Sequence, residues 1–274
     1  MDILQQAQLI VEGENLEDKL KRLKYSSIPN SDSYKRLDSI KTPGRSKKIK
    51  FSTIQLKFPN ENKITTPEGT AIALHFFANH ELLAIEMMAM AIIKFPLKGK
   101  QGDQFRKGLI STINDEQKHF SLYNERMKEL GIEFGDLPVN DFFWKQIHHV
   151  DTIESFYAMM ALTFEAANLD FANHYKNIFK KYNDLATSNI LSIVLEDEIK
   201  HVAMGWDYLN QPEIIKQKDI WEFYLALLPE KITPARSKGI WFNASLRKEA
   251  GMQDEFINEI KNYKSDFTVT NRKK

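Results

Sequence analysis

The 274-residue chain contains no cysteine. That absence excludes disulfides, thiolate nucleophiles, iron-sulfur clusters and zinc fingers together. It leaves carboxylate oxygen and imidazole nitrogen as the donors for any bound metal, and electrons for any redox step must come from another molecule or a bound cofactor. An excess of one charge is missing too. Lys+Arg 38 against Asp+Glu 37 give a net charge of +1, so no global field draws the chain to nucleic acid or to an anionic membrane. Long apolar runs are also lacking: the most apolar stretch, Leu82 to Phe95, is interrupted by Glu86 and Lys94 and is too short to span a bilayer. It is expected to be a buried core helix. The opening residues Met1-Asp2-Ile3-Leu4-Gln5-Gln6 carry no basic stretch leading into an apolar one, so no secretion signal and a cytoplasmic location are expected.

What is present is helical periodicity, with no strand alternation. Residues 1–65 are read as an N-terminal extension, helical over Ile3–Val11 and Leu16–Leu23, then a polar, basic loop rich in Ser, Pro and Lys. Thr65-Thr66-Pro67-Glu68 supplies a cap, a first-turn proline and an acidic first turn for a long helix ending at Lys94. Further long helices are predicted over about 103–130, stopping at Gly131, then 151–182 and 184–210, with a short helix near Phe142 to His148. Residues 66–210 thus read as a four-helix bundle. Residues 211–274 read as a C-terminal helical extension, with an aromatic helix over Ile215–Leu228 and a final one near Asp254–Tyr263.

One five-letter word occurs twice, as Asp115-Glu116-Gln117-Lys118-His119 and Asp197-Glu198-Ile199-Lys200-His201. On a helix, Glu and His three residues apart share one face, so each word can grip a metal ion. A two-metal bundle also needs a lone Glu on each of two further helices. Glu81 and Glu165 stand 35 and 33 residues before Glu116 and Glu198.

Phase separates these residues from surface charge. Glu198 lines up with Leu191, Val194, Leu195 and Val202; Glu116 with Leu109, Thr112, Ile113 and Phe120; Glu165 with Ala158, Ala161, Leu162 and Leu169. Gln117, Lys118, Glu196 and Lys200 are expected to face water. On the first long helix, periodicity does not choose between Glu81 and Glu86; the matching offset favours Glu81, with Glu86 in reserve. Asp115 and Asp197 are candidates to accept the second ring N–H of each histidine, and Tyr123 to line the cavity or pack in the core. His75, His80 and His174 are read as packed or surface imidazoles. The stretch Arg45-Ser46-Lys47-Lys48-Ile49-Lys50 is read as a solvated loop rather than a nucleic-acid contact.

Taken together, these motifs resemble the ferritin-like superfamily and, within it, the uncharacterised bacterial family known as domain of unknown function 455. The resemblance runs through Thr66-Pro67-Glu68-Gly69, Leu74-His75, Ala84-Ile85-Glu86, Asp115-Glu116 with His119-Phe120, and Phe134-Gly135-Asp136-Leu137-Pro138. It continues through Glu165-Ala166, Asp197-Glu198 with His201-Val202-Ala203, Phe242-Asn243, Arg247 and Ala250-Gly251. The chain departs from the family pattern at Ala167-Asn168, where Arg-Gly is frequent, and at Ser245, where an acidic residue is common.

The resemblance implies an all-α, ferritin-like four-helix bundle with additional N- and C-terminal helices. Its implied metal ligands are Glu81, Glu116, His119, Glu165, Glu198 and His201, holding two iron ions (manganese as the alternative) with a bridging oxygen species or water. The function expected is an O2-activating oxidase or hydroxylase of an organic small-molecule substrate, served by an external electron donor. Iron oxidation and storage, or a metal-free helical scaffold, are the alternatives. Nucleic acid and membrane partners are not expected, and a homodimer is one assembly open to the chain.

Overall fold

The computed structural model of the protein describes residues 1–26 and 40–264. The part of the expected polar loop at 27–39 lies outside them. Among the described residues the regular secondary structure is helical, apart from one isolated parallel bridge between Phe51 and Val139. The chain divides into two compact units: Met1–His149 with Lys181–Ile190, and Val150–Lys180 with Leu191–Lys274.

The first unit is built on α4 (Pro67–Lys94) and α5 (Gly99–Glu129), preceded by α1 (Ile3–Glu12), α2 (Leu16–Lys19) and α3 (Glu61–Ile64). The helix α4 starts as its residues require. Thr66 accepts the Gly69 N–H and Pro67 occupies the first turn, where a missing N–H costs nothing. It is buried on nearly every side, including the consecutive Leu82, Leu83, Ala84 and Ile85, as a helix apolar all round must be. By length and composition α4 could cross a membrane, yet 78% of its most apolar window is buried inside the fold.

One element covering α4 is α1. Its Ile3, Leu4, Ala7, Ile10 and Val11 are buried and the helix packs on α4, so the N-terminal extension belongs to the core of this unit. Only four residues separate α4 from α5, and the two helices pack along each other as a hairpin. Its stripe of Phe105, Leu109, Ile113, Phe120 and Met127 is buried, and α5 stops at Gly131, whose φ of +88° lets Ile132 N–H reach back to the Met127 carbonyl. The expected short helix is a 3-10 turn over Trp144–His149.

In the second unit, the predicted helix over 151–182 has three parts: α6 (Ile153–Met159), a π-helical segment over Met160–Glu165, and α7 (Ala166–Lys181). Thr152 caps it through the Ser155 N–H. After a turn at Asn183 (φ 63°), α8 (Leu185–Leu209) begins in residues of the first unit and ends in the second.

Of the aromatic helix expected over 215–228, the helical part is α10 (Ile220–Leu227); Ile215 closes a preceding short helix, α9 (Pro212–Ile215), and Lys216 and Gln217 at positive φ separate the two. Asp219 then caps α10 by accepting the Glu222 N–H. The unit closes with α11 (Ala244–Glu249), capped by Asn243, and α12 (Asp254–Asn262).

A buried clamp ties α7 to the segment after α10. Arg247 and Asp170, both fully buried, form a two-armed ion pair at 2.8 and 2.9 Å. Asp170 also accepts the backbone N–H of Gly239 and Asn243, while Arg247 donates to the carbonyls of Ala166, Ser237 and Asn243. Both terminal nitrogens of Arg247 and both carboxylate oxygens of Asp170 are engaged, which is what makes a buried ion pair tolerable.

Candidate functional site

In the first unit, Glu81 comes from α4, and Glu116 and His119 from α5. All three are buried and offer ligand atoms within 4.8 Å of one another. The i, i+3 spacing puts His119 Nδ1 3.0 Å from Glu116 Oε2. In the second unit, Glu165 closes the π segment, and Glu198 and His201 come from α8. These three are also buried within 4.8 Å of one another, with His201 Nδ1 3.6 Å from Glu198 Oε2.

Each triad therefore gathers two carboxylates and one imidazole away from water. An unneutralised buried carboxylate costs several kcal/mol, whereas one divalent cation balances two of them. The donors are oxygen and imidazole nitrogen, a set suited to iron, manganese or zinc. The residues fit a metal ion in each triad.

Glu86 has a different partner set. Its carboxylate meets Lys19 Nζ at 3.0 Å and Arg45 Nη2 at 2.5 Å, and all three side chains are buried. Two cations already neutralise it. Lys19 donates further to the carbonyls of Ile10 and Val11; burial, the largest influence, lowers its pKa, and Glu86 opposes that shift. Arg45 also stacks over Phe51. The stretch from Arg45 to Lys50 is thus not a free solvated loop: Arg45 is buried, Lys47–Ile49 forms a 3-10 turn, and Lys48 pairs with Glu133 and Asp136.

Asp115 and Asp197 each hold the lysine of their own word, Lys118 at 3.7 Å and Lys200 at 2.8 Å. Lys118, Glu196 and Lys200 are exposed as expected, but Gln117 is buried. Its amide donates to the carbonyls of Lys19 and Lys21, because the chain after α2 crosses this face of α5 and replaces water there. Tyr123 is buried against Phe77. His75 is buried on Phe134 and accepts the Gly135 N–H, and burial holds its pKa at about 4. His80 is exposed beside Phe143, and His174 stacks on Trp241.

Asn168 was not singled out as a site residue, yet its amide donates to Glu198 Oε1 at 2.6 Å. Its place three residues after Glu165, on the same helical face, was the signal available. Behind the triad, Tyr157 packs on Tyr208, and burial, with Tyr208 and Glu165 nearby, raises its pKa.

No solved structure matches the chain. An uncharacterised protein of Haemophilus influenzae is 30% identical over 207 residues, covering 73% of this chain and 70% of that protein. The profile of the family described as "protein of unknown function (DUF455)" matches residues 8–258, and the chain belongs to that family.

Proposed function

We propose that the protein is a ferritin-like, two-metal carboxylate oxidoreductase that activates dioxygen to oxidise or hydroxylate an organic small molecule. The observation that carries this reading is the pair of buried triads: Glu81, Glu116 and His119 in one unit, and Glu165, Glu198 and His201 in the other. The chain order Glu, Glu-x-x-His, Glu, Glu-x-x-His supports reading each triad as a metal site, two per chain. Iron is the metal proposed, with manganese as the alternative.

When bound, the redox-active pair supplies the electrons that reduce dioxygen, and an external donor returns them, since the chain has no cysteine to do so. The protein's own residues hold and insulate. In each word the helix fixes Glu and His on one face, and Asn168 orients the Glu198 carboxylate through Oε1. The apolar residues in phase with the ligands, among them Leu109, Ile113, Leu162 and Val202, are buried and exclude water. Glu86 is withheld from the ligand set by Lys19 and Arg45.

Anaerobic titration with iron(II) tests the reading. The expected result is two ions per chain and a transient absorption on admitting O2. Glu116→Ala and Glu198→Ala should each abolish stoichiometric loading. Absence of stoichiometric metal in the wild type, or bound iron that is silent towards O2, overturns it.

A further inference from the structure

The π segment that ends in Glu165 is held from outside at two points by residues of the C-terminal segment. At the first, Thr163 Oγ1 donates to the carbonyl of Ala158 at 2.8 Å and lies 2.7 Å from the Tyr224 hydroxyl. A threonine hydroxyl carries one proton, and that proton is spent on Ala158, so Tyr224 is the donor in this contact; its hydroxyl also meets Ser237, whose own proton goes to the Pro234 carbonyl. Both side chains are fully buried, and burial raises the Tyr224 pKa, which keeps its phenol protonated. The contact from Thr163 to Ala158 spans five residues, the spacing of a π turn, where a threonine on an α-helix reaches back three or four. At the second point, Arg247 Nη2 donates to the Ala166 carbonyl at 3.0 Å, just beyond Glu165, while its other arms are fixed on Asp170, Ser237 and Asn243.

A π turn carries one residue more than an α turn, so it rotates everything after it by about 100° relative to an uninterrupted α-helix. The register of Met160–Glu165 therefore decides which way Glu165 points.

We infer that Tyr224 and Arg247 are positioning residues for Glu165: by fixing Thr163 and the Ala166 carbonyl they hold the π register that aims this carboxylate at Glu198 and His201. The inference rests on reading Glu165 as a metal ligand. It gives the C-terminal segment a role in metal binding although none of its residues is a proposed ligand. Tyr224→Phe removes the donor, and Thr163→Val removes the hydroxyl that receives it. Both weaken the Glu165 triad selectively and leave the Glu81 triad alone.

The test is cobalt(II) titration of the full-length protein, followed by visible absorption, with the metal-free melting temperature as a check on folding. The wild type is expected to take up two ions. Tyr224→Phe and Thr163→Val should each keep one ion at wild-type affinity and bind the other at least about tenfold more weakly. Glu165→Gln should weaken the same ion. The double variant should be no weaker than either single one, because both changes break one hydrogen bond, and Thr163→Ser, which restores the hydroxyl, should recover wild-type affinity. If Tyr224→Phe does not fold, the comparison of Thr163→Val with Thr163→Ser decides alone. Two ions bound with unchanged affinity in Thr163→Val overturn the inference while leaving the metal reading intact. A wild type that takes up no cobalt overturns the metal reading, and this inference with it.

Discussion

Two carboxylates on α4, five residues apart, end in opposite chemistry. Glu81 joins Glu116 and His119, while Glu86 is locked between Lys19 and Arg45. The buried residues around both are apolar, so helical phase could not separate them. The difference is set by cations from sequence positions 41 or more residues away. Glu86→Gln would strand two buried cations and is expected to cost about 3–5 kcal/mol in urea unfolding of the metal-free protein. Glu81→Gln should instead reduce metal uptake.

His75 offers a pH readout at the same scale. Its folded pKa of about 4 lies below the ordinary 6.5, so between these values the unfolded chain binds the proton that the folded chain refuses. Stability is therefore full above about pH 6.5 and falls as pH drops towards 4, by up to about 3 kcal/mol from this residue. Protonation also turns Nε2 from acceptor into donor against the Gly135 N–H. Melting temperatures across that window should fall less steeply in His75→Gln than in the wild type.

At the scale of elements, the long helices were legible because their signals are local. Thr66-Pro67 opens α4, Gly131 closes α5, and the phase of Glu116 and Glu198 places both on buried stripes. Gln117 broke the pattern because the chain after α2 lies across its face of α5 and offers two carbonyls. The π segment was not legible either. Its six residues, Met160 to Glu165, suit an α-helix equally well, and the contacts that constrain it come from elsewhere in the chain.

Close approach of α8 is one such constraint: a Cβ on Gly205 would lie 2.3 Å from the Ala161 Cβ. Gly205→Ala should then destabilise by about 1–3 kcal/mol in thermal unfolding. Ala161→Gly in the same chain should recover part of that loss, which a mere gain in helix propensity at residue 205 would not produce.

For the whole molecule, the proposed centre makes stability depend on metal. An ion that binds the folded chain alone, at a hundred times its dissociation constant, adds about 2.7 kcal/mol. Manganese(II) should accordingly raise the melting temperature and a chelator should reverse the rise, with no shift in the Glu116→Ala, Glu198→Ala double variant. The N-terminus also contributes to the body of the fold. Deleting residues 1–12 removes five buried apolar side chains from beside α4 and strips Lys19 of the Ile10 and Val11 carbonyls. The truncated protein should melt lower than the full chain and expose apolar surface to a hydrophobic dye.

The amino-acid sequence by itself determined the all-helical architecture, the inward phase of Glu116, His119, Glu165, Glu198 and His201, and the exclusion of sulfur chemistry. These follow from caps, a 3.6-residue period and composition, which act over a few residues or over none. Only the tertiary structure decided that Glu86 is neutralised, that Gln117 is dry, that Asn168 holds Glu198 and that a π turn precedes Glu165. Each of these depends on a partner brought close by packing, and helical periodicity carries no information about which distant cation, carbonyl or hydroxyl will arrive.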